Sequence, residues 1–556
     1  MLSRLKARLS TGPSPRELIL VAAVCGYLFF WGLGSFGLVG ADEPRYAQVA
    51  REMLERNDYV TPTLYGDPWL EKPALYYWRA LIAFEEFGVK DWAARLPSAT
   101  FALGMVTIIF FHMRRFRPGA QLDAALLTAS CVGIIAFARG ASTDMQLAAP
   151  FTVAMLGWYA WYETGSRFWL IDLYIFIAIG TLAMGPVAPV LAAGIILVFC
   201  YLRNDMKAAW KTAFWWPGIL IFLGIALPWY ILVQEANPHF FRSFILEQNL
   251  ARFSTDKYRH SQPFWYYLPV LMLSLIPWTF FAMPALIDAV RSCWNDWRAT
   301  HHIRRKTGVE IPRKNPDAFP EFLVICTLIP IVFFSISRSK LPGYILPAIP
   351  PCTILTADFL QRKRGEAASP LIIWAHAILA GILVGIFLIF PTYFLDNQAL
   401  AFKARAITIA VVAAFALAIF FAIRGFGIRA LRYATLIPVI FVIAFIVKVA
   451  APTVDEHYSA RPVAAELHQL GTDSRTIAVY HVKREMRYGL AFYRNQKVFS
   501  YDEEPVPVTE HLLITGTGDN AELKKLLEGR RVSFLGRFPA QKLDYYWVGP
   551  KATFSF

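Results

Sequence analysis

Long apolar runs joined by short, often basic connections organise most of the chain. They fall at about 18–38, 97–113, 121–138, 145–162, 168–184, 186–202, 214–233, 264–287, 319–337, 343–360, 370–392, 405–423 and 431–450. Each is long enough for a helix to cross about 30 Å of hydrocarbon, so the pattern predicts thirteen transmembrane helices. Only Gly185-Pro186 separates the fifth from the sixth, and one crossing more or fewer there would invert everything downstream. Between the first two runs, Tyr46, Val49, Ala50, Met53 and Leu54 recur at helical spacing, which predicts an amphipathic helix over 44–56. Beyond residue 450 the period changes. Short β-rich runs at 476–480, 497–501, 511–515, 532–535 and 545–548 alternate with helical patterns at 461–470, 483–494 and 520–530. That alternation predicts a small α/β domain.

Composition agrees with the pattern. Of 556 residues, 56% are hydrophobic and only 17% charged, too few charges to cover a soluble protein of this size. The fold class expected is therefore a polytopic α-helical membrane protein with a C-terminal α/β domain. The net charge of +15 would suggest nucleic-acid binding in a soluble chain. Here its dense blocks, such as Arg114-Arg115-Phe116-Arg117, Arg304-Arg305-Lys306 and Arg362-Lys363-Arg364, lie in short loops on one side. This is the positive-inside pattern; it places the N-terminus in the cytoplasm and excludes a nucleic-acid partner. A transmembrane domain of 1–450 then carries outer loops at 39–96 and 234–263, and 451–556 lies outside. The basic N-terminus precedes an apolar run too long for an ordinary signal peptide and reads as a retained signal anchor. Six scattered cysteines support neither a disulfide framework nor a zinc ribbon.

The outer segments carry the chemistry. Asp42-Glu43-Pro44-Arg45-Tyr46 follows the first run, and Glu71-Lys72-Pro73 precedes the aromatic stretch around Tyr76. Asp and Glu there also suit a helix N-terminus, with Asp42 as its cap; Arg45 beside them suits a phosphate. Asp144 starts the fourth run, either as a cap or as a second outer carboxylate. Arg259 and His260 lie in the loop 234–263, and Ser339-Lys340-Leu341-Pro342-Gly343-Tyr344 adds a lysine and a tyrosine. Separate outer segments bringing cations, carboxylates and tyrosines to one membrane level point to an anionic lipid headgroup as substrate. The chain has no Walker loop, dinucleotide fingerprint or nucleophile elbow, so a nucleotide-driven pump is excluded. A lipid transporter would show symmetric halves and polar residues at mid-bilayer; neither is evident.

Gly-x-Asp-Glu-Pro-Arg-Tyr-Ala (from Gly40), Glu71-Lys72-Pro-x-Leu-x-Tyr-Trp, Arg139 to Asp144 and Lys340-Leu-Pro-x-Tyr344 together resemble the GT-C membrane glycosyltransferases that use lipid-linked sugars. Within them the chain is similar to the protein O-mannosyltransferase-like branch, and there to the lipid A aminoarabinose transferases. It departs at Met184-Gly185-Pro186, where much of the branch has Lys-Gly.

The resemblance implies transfer of 4-amino-4-deoxy-L-arabinose from undecaprenyl phosphate to a lipid A phosphate at the periplasmic face of the bacterial inner membrane, and so resistance to cationic peptides. It implies catalytic roles for Asp42, Glu43 and Asp144, and substrate contacts from Arg45, Tyr46, Lys72, Tyr76, Arg259, Lys340 and Tyr344. A divalent metal, zinc or magnesium, would take Glu71 and His260 as ligands. A monomer is expected. The alternatives are a transferase of the same fold that modifies protein or O-antigen, and a lipid transporter.

Overall fold

The computed structural model describes residues 15–251, 262–307, 317–363, 369–389, 398–427, 430–518 and 520–551. Among the described residues, helix is found in part or all of every predicted apolar run. Among the described residues six helices are long and apolar enough to cross a membrane: Asp91–Phe116, Trp216–Ala236, Phe319–Ile336, Pro342–Arg362, Arg405–Phe426 and Leu431–Tyr458. Gln121–Ser130 and Val132–Ala138 make a seventh if the pair, bent by 65°, is one span. Phe168–Met184, Val187–Leu202 and Pro370–Gly385 are shorter apolar helices. Gly185 separates the first two of these with φ +74°, a conformation only glycine adopts freely.

Three runs differ from their predicted form. The run 18–38 is helical only from Pro15 to Phe30. It ends because Gly32 turns with φ +65° and the carbonyls of Leu33, Phe36 and Gly37 are taken by the Arg95 guanidinium. The run 121–138 breaks at Cys131, whose backbone is extended; the amide of Val132 donates instead to the Ile276 carbonyl at 2.8 Å. The run 264–287 divides into Tyr267–Ser274 and Thr279–Thr307 around Pro277, which has no N–H for a helical bond.

The exposed faces explain the composition. On Trp216–Ala236, Ile219, Leu220, Leu223, Leu227 and Ile231 are all exposed. A stripe of that size would be a liability in water and is the ordinary lipid-facing surface of a span.

The chain divides into two compact units. The first comprises Met1–Trp31, Glu71–Tyr76 and Ser98–Phe445; the second comprises Gly32–Leu70, Tyr77–Pro97 and Ile446–Phe556. Residues 32–70 and 77–97 thus group with the segment from 446 onward.

The second unit contains a five-stranded mixed sheet with helices packed on it. Its strands are β3 Ile477–Tyr480, β4 Val498–Ser500, β5 His511–Gly516, β6 Arg530–Phe538 and β7 Leu543–Lys551, after a two-stranded hairpin of β1 Thr63–Leu64 and β2 Asp67–Pro68. The sheet order is β4-β3-β5-β7-β6. β3 is parallel to β4 and β5, while β7 is antiparallel to β5 and β6. β3 is buried at all four positions, as a parallel strand covered on both faces should be. On one face Val463, Leu467, Met486 and Leu490 pack against Ile477, Val479, Leu512 and Ile514. On the other, Leu523 and Leu527 join Ala478, Leu513 and Val548.

Candidate active site

In the second unit the Asp42–Arg56 helix begins with Ala41 as its N-cap, and no side chain caps it. Asp42 is thus not the cap that its residue type suggests. It stands in the first turn, where the helix dipole favours a negative charge. Its Oδ1 accepts a 2.6 Å bond from Arg45 Nη2 in an ion pair; the Asp42 side chain is 60% exposed and that of Arg45 12%. The Arg45 guanidinium lies over three rings, Tyr46 at 5.2 Å, Trp69 at 5.1 Å and Tyr488 at 5.7 Å. Trp69 is placed by the β1–β2 hairpin, to which its amide bonds through the Pro62 carbonyl at 2.7 Å. Glu52 fastens that hairpin by accepting from Thr63 Oγ1 and from the amides of Tyr65 and Gly66. A guanidinium held by aromatic faces loses little freedom when it binds an anion.

Both carboxylate oxygens of Glu43 accept hydrogen bonds. Its Oε1 accepts from Arg95 Nε at 3.0 Å, and its Oε2 accepts from Arg95 Nη2 at 2.7 Å and from the Val39 amide at 2.9 Å. Arg95 is 1% exposed. A carboxylate bound this way anchors the 32–41 loop. Tyr46 is likewise buried, edge-on to Tyr77 at 6.2 Å. The one sequence signal for Arg95 is an arginine in the apolar Asp91-Trp-Ala-Ala-Arg95-Leu-Pro97 entry to a helix.

In the first unit, Lys72 is half-buried and Tyr76 fully buried. Ser142 caps the Thr143–Thr164 helix: its Oγ accepts from the Asp144 amide at 3.0 Å and donates to Asp144 Oδ2 at 2.6 Å. With the cap supplied by Ser142, the Asp144 carboxylate is turned against Gly343, where a Cβ would stand 2.5 Å from Oδ1. Gly343 sits between Lys340 and Tyr344. Lys340 is buried and its Nζ donates to the Ser337 carbonyl at 2.5 Å; Tyr344 packs on Phe334 with ring centres 5.0 Å apart. The structure thus joins two sequence candidates, Asp144 and the Lys340–Tyr344 segment. Arg139 serves another purpose, donating to the carbonyls of Leu28 and Trp31 at 3.1 and 3.0 Å. Met184 packs in an apolar cluster with Leu75, Leu147 and Val187, so the lysine usual at that place has a hydrophobic replacement.

Arg259 and His260 lie outside the described residues. Among the described residues, no three His, Cys, Asp or Glu side chains gather as a metal site, and Glu71 is the one expected ligand that is described.

Residues 16–244 match the model of the dolichyl-phosphate-mannose-protein mannosyltransferase family. An undecaprenyl phosphate-alpha-4-amino-4-deoxy-L-arabinose arabinosyl transferase of Pseudomonas fluorescens is 30% identical over 62% of this chain and 55% of its own length. One from Serratia proteamaculans is 29% identical over 62% and 59%. The chain thus spans under two thirds of the length of these relatives. The crystal structure of ArnT from Cupriavidus metallidurans bound to undecaprenyl phosphate superimposes with a TM-score of 0.73 at 22% identity, covering 96% of this chain and 98% of that one. The fold is the one seen there.

Proposed function

We infer that this chain, which shares the ArnT fold and is similar to the undecaprenyl phosphate-aminoarabinose transferases, moves 4-amino-4-deoxy-L-arabinose from undecaprenyl phosphate to a phosphate of lipid A. The observation that carries this reading is the Asp42–Arg45 pair. A largely exposed carboxylate is held 2.6 Å from a guanidinium, in a helix first turn that favours anions.

Both substrates are anionic lipids, so repulsion between them must be offset first. Arg45 in one unit, and Lys72 and Lys340 in the other, are the cations suited to phosphate. Arg259 is assigned to the same task from its sequence position. In the transfer, the bond from the sugar C1 to the donor phosphate oxygen breaks and a bond from C1 to an acceptor phosphate oxygen forms, with inversion. The electron pair leaves on undecaprenyl phosphate. A phosphate monoester has a second pKa near 6, so the acceptor oxygen is largely ionised at neutral pH and needs little help from a base. Asp42 is then the group that orients the nucleophile or offsets positive charge on the sugar ring. Asp144 is assigned a catalytic role from its sequence motif, beside the Lys340–Tyr344 segment in its own unit. A divalent cation on Glu71 and His260 is the one cofactor in the reading, and no step depends on it. Loss of rate in EDTA, restored by magnesium or zinc, would identify it.

Thirteen crossings, a cytoplasmic N-terminus, a periplasmic C-terminal domain, an inner-membrane location and a monomer complete the proposal. The product gains an amine, which lowers the surface charge that attracts cationic peptides.

Asp42→Asn tests the reading. The residue caps nothing, so the variant should fold normally, and mass spectrometry of lipid A from cells carrying it should show no pentosamine. Full modification would sink the assignment. The mannosyltransferase family match favours one alternative, a different acceptor; a hexose on protein with unmodified lipid A would establish it.

A further inference from the structure

We propose that the C-terminal α/β domain positions the Asp42–Arg45 pair, with Arg461 and Tyr493 as its positioning residues; this rests on the assignment of Asp42 to sugar transfer. The segment 34–39 leads into the Asp42–Arg56 helix, and C-terminal groups fasten its backbone. Arg461 Nη1 donates to the Gly34 carbonyl at 3.3 Å and to Asp91 Oδ2 at 2.9 Å, and its Nη2 donates to the Ser35 carbonyl at 3.4 Å. Asp455 holds the same guanidinium at 3.0 and 2.7 Å and accepts from the Gly37 amide at 2.7 Å. The Tyr493 hydroxyl accepts from the Leu38 amide at 2.7 Å and donates to Asp91 Oδ1 at 2.6 Å. The next amide, of Val39, donates to Glu43, one residue beyond Asp42. The chain of contacts therefore runs without a gap from the C-terminal segment to the first turn of the helix.

A second set of contacts holds the helix along its length. Tyr488 lies over Arg45, the Phe492 carbonyl accepts from Arg51 at 2.9 Å, and Asn495 donates to Glu55 at 2.9 Å. All three belong to the Arg484–Arg494 helix or its end. There is no slack at the join: a Cβ on Gly37 would overlap the Ser459 and Tyr493 side-chain oxygens.

Domains that only bind an acceptor have no need to fasten a catalytic turn. A displacement of about 1 Å at a reacting group can cost on the order of a hundredfold in rate. A purely structural role would instead lower the folded yield and leave the rate of each folded molecule intact.

The test compares full-length wild-type protein, Tyr493→Phe, Arg461→Lys and Asp42→Asn in detergent or nanodiscs, with kcat counted per folded molecule. Tyr493→Phe removes one hydroxyl and should lower kcat by about tenfold while the KM for lipid-linked donor stays within about twofold. Arg461→Lys keeps the charge, loses the forked geometry, and should behave alike; it carries the test if Tyr493→Phe is not recovered folded. Wild-type kcat in either folded variant, or a change confined to KM, overturns the positioning role while Asp42→Asn remains inactive. An active Asp42→Asn overturns the underlying assignment instead.

Discussion

Arg95 grips Glu43 through two bonds, of 3.0 and 2.7 Å, at a point where its guanidinium has almost no solvent contact. Its remaining N–H groups reach three backbone carbonyls of the preceding loop, at 2.8 to 3.0 Å. A buried arginine paired and hydrogen-bonded in this way is tolerated because every donor is satisfied.

Removing one partner should therefore be severe. Arg95→Met strands the Glu43 charge and three carbonyls, and should cost about 3–5 kcal/mol, read as a lower melting temperature in detergent and poor recovery. Glu43→Gln keeps the shape and should cost less, about 1–3 kcal/mol. A stable, fully active Arg95→Met protein would contradict the anchoring role.

Gly343→Ala addresses the other carboxylate. The added methyl would press on the Asp144 side chain, and overpacking of this kind costs about 1–3 kcal/mol. Transfer should fall more than stability does. Ser142→Ala should instead lose about 1 kcal/mol of stability with the helix cap, and melting curves of the two variants separate these effects.

Lys72→Ala should weaken donor binding. A charge-assisted contact to phosphate contributes about 1.5–3 kcal/mol, so affinity for undecaprenyl phosphate should fall by about tenfold or more. Its dependence on salt should also weaken. Unchanged binding in a titration would remove Lys72 from the donor site.

The sheet should carry a pH signature. Burial pulls His511 below its ordinary value of 6.5, with Arg530 acting in the same direction and the Thr509 carbonyl against it. The unfolded chain then binds the proton more readily than the folded one. The stability from neutral His511 is complete above about pH 6.5 and is lost progressively as pH falls below it. Protection factors of the β5 amides, corrected for intrinsic exchange, should fall as pH drops below about 6.5, and His511→Asn should flatten that dependence.

Within the second unit, period alone located the elements. Strands predicted at 476–480, 497–501 and 511–515 appear at Ile477–Tyr480, Val498–Ser500 and His511–Gly516, because alternation and β-branched residues are local signals. The helix expected over 44–56 starts two residues early, at Asp42. Breaks inside apolar runs were less legible. Nothing in 18–38 announces that the helix stops at Phe30, since the cause is a guanidinium sixty-odd residues away. Arg259 and His260 lie outside the described residues, so their expected contacts are carried by sequence position alone.

By itself the sequence determined the membrane class, the apolar runs, the α/β segment and the residue types that suit anionic lipids, because hydrophobic period and charge placement are properties of neighbours along the chain. Tertiary structure decided what each charged group does. Asp42 and Glu43 are adjacent and chemically alike, yet one pairs with Arg45 in an open turn and the other is locked to Arg95. Asp144 is released from capping by Ser142, and Gly343 leaves the space its carboxylate occupies. Arg95 and Gly343 are distant in sequence from the carboxylates they meet, and only the folded chain brings them together.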